Sequence, residues 1–96
     1  MKYEIYQIKD VAQCPYVFMS LDYACKKGFC LADYAKVDEG ETDDSVPTEQ
    51  ALEDLFTKYN IAHPEGYKGR SMSVSDIVAI GEDKYYCDSF GFVKLN

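Results

Sequence analysis

The chain offers one stretch regular enough for a substantial helix. In TEQALEDLFTKYN, residues 48–60, Leu52, Leu55, Phe56 and Tyr59 recur at i, i+3, i+4 and i+7. That spacing puts all four on one side of a helix and leaves the other side to Glu49, Glu53, Asp54 and Lys58. Pro47 and Thr48 suit its first positions, Glu49 its first turn and Asn60 its C-terminal stop. Such a stripe has to be buried against another layer.

The rest of the chain supplies strands. KYEIYQI alternates, with Tyr3, Ile5 and Gln7 on one side and Glu4, Tyr6 and Ile8 on the other, which predicts a strand over residues 2–8. FCLADYAKV predicts a second strand over 30–38, with Phe29, Leu31, Ala35 and Val37 inward. DIVAI is short and β-branched, and GEDK then turns the chain into YYCDS, predicting a hairpin of 76–80 with 84–88. FGFVKL bends at Gly91 into a last or edge strand. Between the first two strands, Tyr16 to Met19 reads as an extended apolar piece. SLDYACKKG follows as a short helix capped by Ser20 and stopped at Gly28, with Leu21, Ala24 and Cys25 inward. EGETDDSVP has turn composition and reads as a loop. The expected fold is α+β: one domain over residues 1–96, with a single mostly antiparallel sheet of four to five strands. That sheet packs against one main helix plus a short helix.

Composition limits the chemistry. Ninety-six residues give a single modest core. No apolar run approaches the ~20 residues of a membrane span, and MKYEIYQIKD lacks a hydrophobic signal core, so a cytoplasmic protein is expected. Cys14, Cys25, Cys30 and Cys87 then read as reduced, buried thiols. They form no Cys-x-x-Cys pair, and the only histidine, His63, precedes Pro64 in a connection, so neither a metal site nor any cofactor is expected. Seventeen acids against ten bases give a net charge of −7, which argues against direct contact with nucleic acid.

The most unusual stretch is GRSMSVSDIVAI, where three serines and an aspartate precede an apolar run. A serine nucleophile needs a base and an orienting group, and only His63 is on offer, without a Gly-x-Ser-x-Gly elbow. An enzyme built on His63, Asp76 and Ser71 or Ser73 is therefore the weaker reading. The stronger one makes Ser75 and Asp76 partners of loop backbone groups, and such partners would keep a buried Asp76 ionised. Lys68 and Arg70 beside Gly66 and Gly69 suggest either an anion site or a solvated basic turn.

From Asp38 to Asp54 the chain carries eight acids and no base: Asp38, Glu39, Glu41, Asp43, Asp44, Glu49, Glu53 and Asp54. One reading is a solvated loop with a favourable helix N-terminus. The other is a partner-binding surface for a protein or ribonucleoprotein with a basic groove, where the carboxylates would compete with nucleic acid. Nine tyrosines exceed what a core this size needs. Tyr6, Tyr34, Tyr67 and Tyr85 or Tyr86 are therefore candidates for the surface, as edge packing or as interface anchors.

The run GRSMSVSDIVAIGEDKYYCDSFGFVKLN resembles the YodL-like domain family through Gly69, Ser71, Ser73, Val74, Ser75 and Asp76, then Tyr85, Tyr86, Asp88, Ser89, Gly91 and Phe92. LEDLFTKYNIAHPEGYKG, and more weakly YEIYQIK and YVFMSLD, extend the likeness over nearly the whole chain. Arg70 stands where the family usually has histidine, so no acid–base role carries over to that position. The resemblance implies that the serine-rich signature is a fold element. It also implies a setting in conjugative and phage-borne elements of Firmicutes, often beside anti-restriction genes. The resulting expectation is a non-enzymatic anti-defence protein of a mobile element, of anti-CRISPR or anti-restriction type. It would inhibit a complex such as a Cas9-type nuclease. The alternative is a conjugative interaction module without inhibitory role, using tyrosines and a sheet edge.

Overall fold

A computed structural model describes residues 1–95 and contains one five-stranded antiparallel sheet in the order β2-β1-β3-β4-β5. The strands are β1 (Lys2–Ile8), β2 (Tyr34–Glu41), β3 (Ile77–Ile80), β4 (Asp83–Cys87) and β5 (Phe92–Leu95). Helix α1 spans Leu21–Lys26 and helix α2 spans Thr48–Ile61. No described helix is long and apolar enough to cross a membrane.

β3 explains the layering. All four of its residues are buried, because the strand is central and both of its faces are covered. On one face, Tyr3, Ile5, Val78 and Ile80 pack against Ala51, Leu52, Leu55 and Tyr59 of α2, with Met72 alongside. On the other, Ile8, Tyr34, Ile77 and Tyr86 form a second core with Tyr16 and Ala24. Phe29 joins these by standing edge-on to the rings of Tyr16, Tyr34 and Tyr86, with centroids 5.7–6.0 Å apart.

Local signals act as anticipated at several points. Ser20 Oγ accepts the Tyr23 amide at 3.3 Å and starts α1. Gly28, at φ +85°, reverses the chain after it, and the Phe29 amide returns to the Ala24 carbonyl at 2.9 Å. The β3–β4 turn is tighter than expected. Ile80 pairs with Asp83, leaving Gly81 and Glu82 as a two-residue loop. Of the two only Gly81 has positive φ, at +61°, as a type II′ turn requires.

Several expectations fail. Strand β2 begins at Tyr34 instead of Cys30, and Leu31–Asp33 form a short 3-10 turn. The buried Tyr16 hydroxyl causes this: it accepts the Cys30 amide at 3.2 Å and donates to the Asp33 carboxylate at 2.5 Å, winding the segment around itself. Leu31 is exposed as a result. Tyr16 to Met19 are turns, not an extended piece, and Phe18 is left-handed at φ +63°. Cys25 faces solvent, so α1 buries Ala24 alone. β2 also continues through Glu39–Glu41, into the presumed loop, where Lys2 pairs with Glu41 and the Thr42 amide donates to the Met1 carbonyl at 2.7 Å.

The β1–β2 pairing carries a bulge at Ile5/Tyr6, and beyond it Gly40 lies opposite Tyr3. A Cβ on Gly40 would fall 2.6–2.7 Å from the Tyr3 ring and hydroxyl. Tyr3 is buried and shares a hydroxyl contact of 3.0 Å with Tyr59, so it has no room to yield. Gly40→Ala is therefore expected to destabilise the fold by about 1–3 kcal/mol, as overpacking does, in urea denaturation followed by circular dichroism. An unchanged midpoint would show that Tyr3 moves freely.

Candidate functional site

The serine-rich signature lies where the chain enters β3, and its groups point inward. Asp76 and Ser75 are fully buried. Asp76 Oδ2 accepts the Ser73 amide and the Gln7 side-chain amide, both at 3.0 Å. Gln7, on β1, also donates to the Arg70 carbonyl and accepts the Arg70 amide, again at 3.0 Å. Ser75 is left-handed at φ +85°, and its Oγ accepts the amide of Phe18, the other non-glycine residue with positive φ among the described residues, at 3.0 Å. Its carbonyl accepts the Tyr34 hydroxyl at 2.6 Å. These bonds satisfy backbone groups at a bend, which is the structural role read from the sequence.

Asp76 departs from expectation in its ionisation. Burial pushes its carboxyl up to about 6, although the Ser73 amide, Gln7 and Arg70 all pull the other way. The Arg70 guanidinium comes only to 4.0 Å of Asp76 Oδ1, and among the described residues neither that oxygen nor Arg70 Nε and Nη2 has a hydrogen-bond partner. Arg70 turns toward Asp76 and the Ile8 carbonyl and sits over the Phe18 ring, so it is not displayed with Lys68 for an external anion.

Catalytic arrangements are thin. Ser71 Oγ lies 3.2 Å from His63 Nε2, a nucleophile–base spacing, but both residues are exposed. Among the described residues no carboxylate hydrogen-bonds His63, and Asp76, buried at the sheet, is engaged elsewhere. The cysteines are not uniformly buried as expected: Cys87 is, Cys14 is half-buried, and Cys25 and Cys30 are exposed. Burial pushes the Cys87 thiol up to about 12, which keeps it protonated. Among the described residues no three histidine, cysteine or acidic side chains gather to hold a metal. The tyrosine expectation fails for Tyr34 and Tyr86, which are buried and donate to the carbonyls of Ser75 and Met19, while Tyr6, Tyr67 and Tyr85 are half-buried.

The eight acids do not form one surface. Asp38 faces the α2 side and accepts the Tyr59 hydroxyl at 2.5 Å. Glu39 faces the opposite side and pairs with Lys36 at 2.7 Å and Lys2 at 3.6 Å. Asp44 pairs with the N-terminal amine, which also lies 3.7 Å from Glu41. Asp43 accepts the Ser45 amide and hydroxyl at 2.9 and 2.7 Å. Glu49, Glu53 and Asp54 stand exposed on α2, and among the described residues none of the three meets a cation within 4.0 Å. Asp54 accepts only the Gln50 amide, at 2.9 Å.

One exposed group escaped the sequence reading. Phe90 is 98% exposed at the tip of the β4–β5 hairpin, beside the first half of α2. Asp88 and Ser89 before Gly91 are turn residues, and an aromatic inside such a turn has no inward direction available. That was the signal to find it.

Together these features define a small two-core α+β domain whose serine-rich segment is structural and whose carboxylates divide between internal pairs and open solvent. The chain belongs to the YodL-like domain family, whose sequence model matches residues 2–96. No curated protein and no solved structure matches it.

The raised Asp76 carboxyl gives a pH test. Its ordinary value is 3.8 and its folded value about 6, so the folded state holds the proton more tightly. Its favourable contribution is complete below about pH 4 and is lost as pH rises through 6, by about 3 kcal/mol in total. Asp76→Asn keeps an oxygen for Ser73 and Gln7 but does not titrate. The stability difference, wild type minus variant, is expected to fall steadily from pH 4 to pH 7 in denaturant titrations. A difference independent of pH would contradict the assignment.

Proposed function

We propose that this domain is a non-enzymatic anti-defence protein of a mobile genetic element. In this reading it inhibits a host nucleic-acid-handling complex, of the Cas9-type or restriction-nuclease kind, by occupying a basic nucleic-acid-binding surface. The observation that carries the reading is the exposed side of α2, where among the described residues Glu49, Glu53 and Asp54 meet no cation within 4.0 Å. Uncompensated carboxylates repel one another, and a basic partner relieves that repulsion. Glu49 and Glu53 are one helical turn apart, about 6 Å along the axis. That is close to two phosphate steps of a duplex strand, each advancing about 3.4 Å along the duplex axis. Asp43, in the loop before α2, lines the same cleft as Asp54. Glu39, Glu41 and Asp44 already have partners within the chain and contribute less.

The conjugative-module reading, with no inhibition, draws its support from Phe90, whose exposed ring suits a protein contact of any purpose. The two separate in one assay. The variant Asp43→Asn, Glu49→Gln, Glu53→Gln, Asp54→Asn preserves local hydrogen bonding and removes four charges. It is expected to weaken inhibition of nuclease cleavage at least about tenfold, mostly through slower association. The variant Glu39→Gln, Glu41→Gln should inhibit nearly as well as wild type. A folded quadruple variant with undiminished inhibition would overturn the electrostatic mechanism, and absence of inhibition by the wild-type domain would favour the module.

A further inference from the structure

We infer that the cleft between the first half of α2 and the β4–β5 hairpin tip is a receptor for an arginine side chain of a protein partner. This inference rests on the reading that the α2 carboxylates face a partner, and it names the partner group they receive.

The cleft is an open groove of about 420 Å³. Leu52 and Phe92 give it apolar lining, Glu49 and Glu53 supply carboxylates from α2, and Phe90 stands on the hairpin side. Phe92 is held by Phe56 of α2, edge-on at 6.5 Å. The tip that carries Phe90 is fixed. The Asp88 amide donates to the Gly91 carbonyl at 2.8 Å, and Asp88 Oδ1 accepts the amides of Ser89 at 2.7 Å and Leu21 at 3.3 Å. Gly91 takes φ +79°, which few other residues would adopt. The ring is therefore presented by an anchored backbone while remaining 98% exposed.

An aromatic face, two carboxylates that among the described residues meet no cation within 4.0 Å, and an apolar lining match one side chain best. Guanidinium is flat and weakly hydrated; it stacks on a ring and takes a carboxylate through two parallel hydrogen bonds. Its methylene stem can lie along Leu52 and Phe92. Ammonium meets the charge but stacks and chelates less well. Anionic ligands are opposed by the charge. The arginine comes from another molecule. Arg70 is the chain's only arginine, and it is turned toward Asp76 and the Ile8 carbonyl.

The test titrates ¹⁵N-labelled full-length domain with N-acetyl-Gly-Arg-Gly-amide and, separately, its lysine counterpart at low salt. Saturable amide shifts are expected at Glu53, Gly91 and Phe92, with the arginine peptide binding about twofold to fivefold tighter than the lysine peptide, the range of a surface cation–π contact. Phe90→Ala leaves every charge in place and should erase that preference. Equal binding of the two peptides, an unchanged preference in Phe90→Ala, or shifts centred on the Glu39–Glu41 edge would each overturn the cleft. The peptides involve no nuclease, so the two proposals fail separately. Peptide binding without arginine preference, alongside inhibition that still needs the α2 carboxylates, removes only the cleft. Arginine-selective binding with inhibition indifferent to those carboxylates supports the cleft and removes only the inhibitor mechanism.

Discussion

The fold depends on the junction at Gln7 and Asp76. Gln7 lies on β1, buried, and its one amide group holds both backbone groups of Arg70 and an oxygen of Asp76. Asp76 in turn holds Ser73 and leads directly into β3. Across the same bend, the Ser75 amide donates to the Cys87 carbonyl at the end of β4, the Cys87 amide donates back to the Asp76 carbonyl, and Ser75 accepts from Phe18 and Tyr34. Buried polar groups are tolerated only when paired, and here almost every pair also joins two distant segments. The two cores, on opposite faces of β3, are thereby brought into register. Asp76 Oδ1, which has no hydrogen-bond partner among the described residues, is the imperfect part of the junction, and burial is the reason the carboxyl holds its proton so high.

Sequence was most informative where structure is local. The stripe of α2, the caps of α1 and the β-branched run of β3 each sit within a few residues of the forces that shape them, and each lies nearly where periodicity puts it. The start of β2 does not, because Tyr16, fourteen or more residues earlier, decides it through Cys30 and Asp33. The end of β2 also hid itself. Acidic residues are poor strand formers in general, yet Glu39 and Glu41 lie on an edge strand with Lys2, Lys36 and the N-terminal amine close by. Tyr34 and Tyr86 were misplaced because composition counts rings and cannot see that buried carbonyls await their hydroxyls.

The acidic run shows the same limit at the level of the site. Neighbours in sequence need not be neighbours in space. The two-residue period of β2 turns Asp38 toward α2 and Glu39 away from it, while Glu49, Glu53 and Asp54 follow the 3.6-residue period of a helix onto solvent. Family membership and the buried signature account for how the chain folds. What distinguishes its outside is the α2 side with the Phe90 tip beside it.

Amide hydrogen exchange tests the junction most directly. The amides of Phe18, Arg70 and Ser73 lie outside regular secondary structure, yet each donates to a side chain of the junction. If the junction organises the fold, these three amides exchange as slowly as that of Val78 in β3, through global unfolding. Exchange as rapid as at Glu65 and Gly66 in the connecting loop would contradict it.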